Sequence, residues 1–214
     1  MAALERRQVL AIVRGASALL VLFSIGFQGF TLAGGPGGFD PTRFFAFFTI
    51  LSNLFGAVLF LYLALRWRAP RSATLDVMRG ASVVYLTVTF IVVILLLSGA
   101  DLQVAVPWVD FVVHKVFPVI VVLDWLVDPP AVRITPRHIG WWLVYPIVWV
   151  TLTLIRGAAD GWYPYPFLNP ANGGYGSVAF YFVAILVGFF VISAAVMAIG
   201  NARRGPQAEF QPAG

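Results

Sequence analysis

The hydrophobic positions of this chain form long runs, rather than the alternating or helical-stripe patterns that are typical of soluble domains. An apolar run of about 20 residues is long enough to cross a bilayer as a helix. Six such runs occur, near residues 9–32, 43–65, 75–98, 107–127, 138–156 and 176–200. The pattern predicts an all-α, polytopic membrane protein with six transmembrane helices in a single domain, residues 1–204, and a flexible tail at 205–214.

Glycine and proline mark the predicted ends of these helices. The first connecting loop runs from Gly34 to Gly38 and cannot continue a helix. Asp40 and Pro41 are then expected to restart one, because a short acidic side chain caps free N–H groups and proline fits a first helical turn. The first apolar run is long enough to span, so we predict no cleaved signal peptide.

The basic residues are distributed unequally between the two ends of the predicted helices. Eleven of the 14 lysines and arginines lie at the N-terminus, in the second and fourth loops and in the tail. The opposite end holds only Arg43, Lys115 and Arg156. Lysine and arginine are retained on the cytoplasmic side, so both termini are predicted to be cytoplasmic. The net charge of +5 then reflects topology, and we predict no nucleic-acid partner.

Composition removes several classes of function. The chain is 60% hydrophobic and 11% charged, far from the roughly 25% charged residues of a soluble domain. It has no cysteine, which excludes disulfides, thiolate metal sites and thiol redox chemistry. Its two histidines are few for a haem-binding electron carrier, which is a third and weaker hypothesis. We therefore predict no metal and no cofactor.

The fourth apolar run carries ionisable residues, which at membrane depth usually mark a polar interior or a functional site. Pro118 removes a helical hydrogen bond and presses on the carbonyl four residues back, that of His114. Asp110, one turn before the histidine, either orients the imidazole or caps the helix. Lys115 is expected to extend outward. Asp124 lies about 15 Å further inward and is predicted to pair with an arginine near the cytoplasmic surface.

The second apolar run places Thr49, Ser52 and Asn53 on one helical face. Counted from the same end of the bundle, Thr49 lies about 9 Å deep and His114 about 10 Å deep. A hydroxyl opposite an imidazole is the minimum for base-activated nucleophilic attack. The alternative is that these polar groups only join helices by hydrogen bonds, as they commonly do in membranes.

The loop before the last helix interleaves prolines with Trp162, Tyr163 and Tyr165. It is interpreted either as an aromatic belt at the membrane interface or as a lid over a cavity. Arg156, just before this loop, either binds a substrate carboxylate or pairs with Asp160.

Three stretches, residues 49–53, 114–118 and 161–167, resemble the androgen-induced-gene family of six-pass membrane proteins, most closely its bacterial branch. The resemblance covers nearly the whole chain. It implies an intramembrane threonine hydrolase of fatty acid esters of hydroxy fatty acids, located in a bacterial plasma membrane. Thr49 would be the nucleophile and His114 its general base.

The residues and the resemblance together predict hydrolysis of a lipid ester in an outward-opening pocket. Ser52, Asn53, Asp110, Arg156 and the three loop aromatics would bind substrate or support the pair. The expected partners are a lipid ester or fatty acid ligand and the membrane lipid. The alternative is a non-catalytic lipid- or small-molecule-binding protein or carrier.

Overall fold

The computed structural model describes residues 2–97 and 106–204, and within them the chain is all-helical. The α-helices in chain order are α1 (Ala2–Ala33), α2 (Pro41–Phe44), α3 (Phe48–Leu65), α4 (Ala73–Leu96), α5 (Pro107–Phe111), α6 (Phe117–Val127), α7 (Pro136–Asp160) and α8 (Gly174–Arg203). A π turn, Val112–Val116, joins α5 to α6, and two 3-10 turns, Pro166–Leu168 and Pro170–Asn172, lie between α7 and α8.

Five of these helices, α1, α3, α4, α7 and α8, are long and apolar enough to cross a membrane. The length and composition of these five helices are those of an integral membrane protein. The predicted bounds of the first, third, fifth and sixth runs match α1, α4, α7 and α8 to within a few residues, except at the N-terminus of α1 and the C-terminus of α7, which extend further. Residue 98 and the predicted tail at 205–214 lie outside the described residues.

The predicted fourth helix, 107–127, is helical but divided into α5, the π turn and α6. The Phe117 N–H bonds to the Val112 carbonyl, five residues back, instead of the carbonyl of Val113. The next residue, Pro118, has no N–H to offer. The carbonyl that loses its backbone partner is therefore that of Val113, rather than that of His114 as an unbroken helix would predict.

The predicted second helix, 43–65, is also interrupted. Asp40 caps α2 as predicted, with its carboxylate accepting from the Thr42 and Arg43 N–H groups, but α2 ends at Phe44. α3 begins at Phe48, after an extended Phe47. Side chains from α7 explain the break, since they bind carbonyls that a continuous helix would use.

Two such bonds are present. Trp149 donates its indole N–H to the Ala46 carbonyl at 2.9 Å, and Arg156 donates to the Thr42 carbonyl at 2.7 Å. As a result Thr49 lies in the first turn of α3, rather than about six residues inside a helix.

The helices pack around α3 and α4. α1 lies along α3, while α4 contacts α3, α6 and α8. Gly56 in α3 allows the divided helix to approach closely, because a Cβ there would lie 2.9 Å from the Phe117 ring. α7 and α8 bury only a small part of their surface against the rest of the chain, as expected for helices that face lipid.

The end of the bundle that carries the N-terminus holds a buried ionic network. Asp124 pairs with Arg14 and with Arg79, each at 2.7 Å, which confirms the predicted arginine partner. Three arginines and three aspartates participate: Arg14, Arg71, Arg79, Asp76, Asp124 and Asp128. Buried charges persist in pairs of this kind because each partner replaces the water that the other has lost.

Candidate active site

Thr49 and His114 meet at the opposite end of the bundle. The Thr49 Oγ1 lies 3.3 Å from the His114 Nε2, and the two residues are 4% and 6% exposed. One comes from the first turn of α3 and the other from the π turn. The structure therefore brings together the hydroxyl and the imidazole that the sequence placed at similar depth.

Asp110 holds the other nitrogen of the imidazole. Its Oδ1 lies 2.6 Å from the His114 Nδ1, one helical turn away. No side chain caps α5, so Asp110 orients the histidine ring and does not act as a helix cap. A proton on Nδ1, donated to the carboxylate, leaves Nε2 as an acceptor facing Thr49.

Asn53 joins the two halves of the pair. Its side-chain amide donates to the Val113 carbonyl at 3.0 Å and to the Thr49 carbonyl at 2.9 Å. The first bond supplies the donor that the π turn and Pro118 remove from the backbone. Asn53 thus ties the turn that carries His114 to the turn that carries Thr49.

Tyr165 occupies the start of α3, where no side chain from the helix itself caps the free N–H groups. Its hydroxyl accepts from the Thr49 N–H at 3.3 Å and lies 3.2 Å from the Thr49 Oγ1. Burial raises the pKa of the Tyr165 hydroxyl, although its bonds with Thr49 act in the opposite direction. The phenol therefore keeps its proton and remains a donor.

One assignment of hydrogens satisfies every contact in this group. Tyr165 donates to the Thr49 oxygen, Thr49 donates to the His114 Nε2, and His114 donates to Asp110. The bonds on either side of the threonine are long for hydroxyl donors, as catalytic bonds often are without substrate. The arrangement can carry a proton from the threonine to the imidazole.

A cavity of about 570 Å³ opens beside this group. It lies between the end of α1, the following loop, the α2–α3 break and α5. Thr49, Asp110, His114 and Tyr165 belong to its wall, with Asp40 and Arg43 among the charged residues. Most of the remaining wall is apolar or glycine, which suits a ligand with a hydrocarbon portion.

The predicted lid residues divide into two groups. Trp162 and Tyr165 line the cavity, whereas Tyr163 does not. The Tyr163 ring packs on Gly157 of α7, where a Cβ would lie only 2.1 Å from it. Gly161, at φ 74°, ends α7 and turns the chain so that the two neighbouring aromatics face different ways.

Arg156 has a structural position rather than a place in the cavity wall. It pairs with Asp160 at 3.1 Å and donates to both oxygens of Thr42. Its guanidinium lies 5.2 Å from the centroid of Trp162, and that of Arg43 lies 5.5 Å from the same ring. Arg156 was predicted either to bind a substrate carboxylate or to pair with Asp160, and the structure contains the pair. The arginine in the cavity wall is Arg43.

Ser52 also lies apart from the pair. Its hydroxyl is fully buried and faces the Tyr145 hydroxyl of α7 at 3.5 Å. Ser52 shares the buried face of α3 with Thr49 and Asn53, as predicted, but its hydroxyl contacts α7 rather than the pair.

Sequence reasoning overlooked Gln28 in the cavity wall. This residue is buried in α1, and its Oε1 has no protein partner among the described residues. A single glutamine within an otherwise apolar run was the available signal.

Among the described residues, no group of three or more histidines and acidic residues has the arrangement of a metal site. No family model, curated protein or solved structure matches the chain.

Proposed function

We propose that this protein is an intramembrane threonine hydrolase of lipid esters. The observation that carries the proposal is the continuous series of contacts from Asp110 through His114 to Thr49 in the wall of a cavity. A nucleophile, a base and a group that orients the base are the three parts that base-activated acyl transfer requires.

In the first step, the Thr49 Oγ attacks the ester carbonyl carbon while its proton passes to the His114 Nε2. Asp110 keeps the imidazole in the required tautomer and stabilises the imidazolium that forms. The tetrahedral intermediate then breaks its bond to the alcohol oxygen, and His114 returns the proton to that oxygen. The alcohol leaves, and the acyl group remains esterified to Thr49.

In the second step, water attacks the acyl-threonine and gives a proton to His114. The bond to the Thr49 Oγ breaks, that oxygen recovers the proton from His114, and the fatty acid is released. In both steps the carbonyl oxygen develops negative charge close to the start of α3. The Thr49 N–H and the Tyr165 O–H are the candidate donors to that oxygen, and each would exchange its resting bond within the Thr49–Tyr165 contact for one to the substrate.

The cavity supports an ester that carries an additional anionic group. Its volume falls within the range of about 300–1,000 Å³ for small-molecule sites. Arg43 lies in the wall and its nearest carboxylate, Asp40, is 3.5 Å away at an exposed position, so the pairing is weak. A free carboxylate on the substrate, as in fatty acid esters of hydroxy fatty acids, would fit beside Arg43.

The proposed topology has six crossings, with α5, the π turn and α6 together forming the fourth. Both termini are then cytoplasmic and the cavity opens outward, in a bacterial plasma membrane. The distribution of arginine and lysine supports this orientation. Reporter fusions after residue 204 and within residues 34–38 test it, since the two sites must report opposite sides.

A non-catalytic lipid-binding protein or carrier is the second candidate. It is favoured by the 3.3 Å separation of the Thr49 and His114 atoms, which is long for a hydroxyl donor, and by the cavity itself. Such a protein would retain an intact lipid ester without cleaving it.

An active-site-directed phosphonate ester that labels serine and threonine hydrolases separates the two candidates. Labelling of the purified protein, located on Thr49 by peptide mass spectrometry and absent in Thr49→Val, supports the hydrolase. Thr89→Val is the matched control, because Thr89 is equally buried but bonds only within its own helix. Intact ester that co-purifies with an unlabelled wild-type protein would favour the carrier.

A further inference from the structure

A second cavity lies at the opposite end of the bundle from the candidate active site. It is bounded by the start of α1, the end of α3, the loop that follows α3, and the turn after α6, and its volume is about 370 Å³. Its charged wall consists of five arginines and one aspartate: Arg6, Arg7, Arg14, Arg66, Arg71 and Asp128. From Arg14 to Gln28 of the first cavity, α1 rises about 21 Å, so the two cavities are separate.

The positive-inside tendency accounts for arginines at this end but not for their convergence on one cavity. Arg68 and Arg137 lie at the same end and are exposed, as Arg7 and Arg66 are, but they do not line the cavity. Guanidinium groups around a shared space repel one another unless an anion lies between them. Retention of arginine on the cytoplasmic side therefore does not explain why five arginines surround one cavity.

The single carboxylate of the wall is already shared. Asp128 pairs with Arg14 at 2.6 Å, with Arg71, and with Arg79 at 3.7 Å. Burial disfavours the charged form of Asp128, but these three arginines hold its pKa below the usual range. Asp128 thus neutralises the inner side of the cavity and leaves the outer side unbalanced.

The outer arginines retain donors for a ligand. Arg7 and Arg66 form no ion pair within residues 2–97 and 106–204, and Arg6 donates to the Val127 carbonyl. The Arg66 guanidinium lies 5.9 Å from the Tyr62 ring centroid. Guanidinium groups bind phosphate through paired N–H donors, more strongly than they bind neutral acceptors.

We propose that this arginine-lined cavity binds a phosphate group, and that its occupant is the headgroup of an anionic membrane phospholipid. The cavity lies where α1 begins and α3 and α6 end, which is the depth of lipid headgroups. Apolar and aromatic residues complete the wall, where they would contact the glycerol and upper acyl chain: Leu10, Tyr62, Leu63, Trp67 and Leu75. The bound headgroup would connect the end of α3 to α1 and to the turn after α6, which the ionic network already joins to each other through Arg14 and Asp128.

The test measures ligand-dependent melting temperature on the purified full chain in an uncharged detergent at constant ionic strength. The ligands are dihexanoyl phosphatidylglycerol, dihexanoyl phosphatidylcholine and inorganic phosphate. We expect a saturable rise with phosphatidylglycerol, none with phosphatidylcholine, and a weaker rise with phosphate. A rise with phosphate that saturates at equal or lower concentration would identify free phosphate as the occupant and still support the phosphate site.

The decisive variant is Arg7→Gln with Arg66→Gln, because these side chains line the cavity without supporting the ionic network. A basic side chain near anionic lipid contributes about a fivefold factor, so the double variant should bind phosphatidylglycerol roughly 25-fold more weakly. Arg7→Gln alone should weaken phosphatidylglycerol binding about fivefold, and it is the variant to measure if the double variant does not fold.

Arg68→Gln with Arg137→Gln is the matched control, since it removes the same charge from exposed positions outside the cavity. It should bind phosphatidylglycerol as the wild type does. An equal loss of affinity in this control, or no saturable rise with either phosphate-bearing ligand, would overturn the proposal.

Discussion

The side-chain amide of Asn53 donates to the Val113 carbonyl at 3.0 Å, where the π turn and Pro118 leave that carbonyl without a backbone partner. The contact joins two predicted transmembrane segments within one turn of both Thr49 and His114. A backbone irregularity at membrane depth is tolerated only where another group satisfies the exposed carbonyl. The position of the histidine thus depends on a residue from a different helix.

Asn53→Ala should therefore destabilise the protein and reduce activity together. A buried carbonyl left without a donor costs about 1–3 kcal/mol, and the turn carrying His114 loses its tie to α3. Thermal unfolding and ester turnover measure the two effects. Ser52→Ala is the control, because Ser52 is equally buried but has only a 3.5 Å contact, and it should change both quantities little. Full activity in Asn53→Ala would separate the π turn from the reaction.

Loss of Thr49, of His114 or of both should reduce ester turnover to about the same extent. Thr49→Val and His114→Ala should each remove nearly all ester turnover, and the double variant should be little worse than either, since members of one catalytic unit are strongly non-additive. Thr49→Ser should keep part of the activity because it keeps the hydroxyl. His138→Ala, which alters the other histidine at the start of α7, should remain active. Wild-type turnover in Thr49→Val would end the hydrolase proposal at this site.

Asp110→Asn should lower kcat by roughly 100-fold while leaving the affinity for an uncleaved ester analogue unchanged. The asparagine can offer an N–H to the His114 Nδ1, which favours the tautomer that carries its proton on Nε2. That tautomer cannot accept the threonine proton. Steady-state kinetics and analogue binding on the same preparation check this. A change confined to the melting temperature would give Asp110 a structural role only.

Tyr165→Phe should lower kcat by about 100-fold or more, if the phenol stabilises the charge that develops on the carbonyl oxygen. The ring remains stacked on Phe167 at 5.3 Å, so packing is retained. The start of α3 loses its acceptor, which should also cost about 1 kcal/mol of stability. Tyr145→Phe removes a half-buried hydroxyl from α7 and should leave kcat unchanged. Equal effects of the two substitutions on kcat would argue against a donor role for Tyr165.

Trp162→Ala and Tyr163→Ala should have different effects, although the two residues are adjacent. Trp162 lines the cavity and has two guanidinium groups within about 6 Å of its ring centroid, so its loss should raise KM or speed product release. Tyr163 packs on Gly157 outside the cavity, so its loss should lower the melting temperature and leave KM unchanged. A shared rise in KM would show that the whole loop moves as one lid.

The sequence predicts most of the helices because most of the long apolar runs correspond to a helix and the basic stretches mark where several of them end. It also predicts the partner of Asp124, since a carboxylate near the basic end of a bundle has arginines within reach. The break before α3 was not predictable in the same way. It depends on Trp149 and Arg156, which bind carbonyls more than 100 positions away in the chain.

The candidate pair could be predicted from depth alone, but its surroundings could not. Periodicity placed Thr49, Ser52 and Asn53 on one buried face of α3, but it could not show that Ser52 contacts Tyr145 of α7 while Asn53 contacts the Val113 carbonyl. The π turn adds a residue to one helical turn, which changes the direction of every side chain on one side of it. Tyr165 reaches the start of α3 from a loop whose path depends on the end of α7.

The interruption between α2 and α3 gives Thr49 an electrical setting that an unbroken helix would not. A helix start carries about half a positive elementary charge from its aligned peptide dipoles, and the effect fades beyond the first turn. Thr49 is the second residue of α3, so this field acts on its oxygen. Deep inside a continuous helix the same threonine could still touch His114, but its N–H would bond to a backbone carbonyl instead of to Tyr165, and the field would be absent. Transfer of the pair alone to another bundle would therefore give the contact without the field of the helix start.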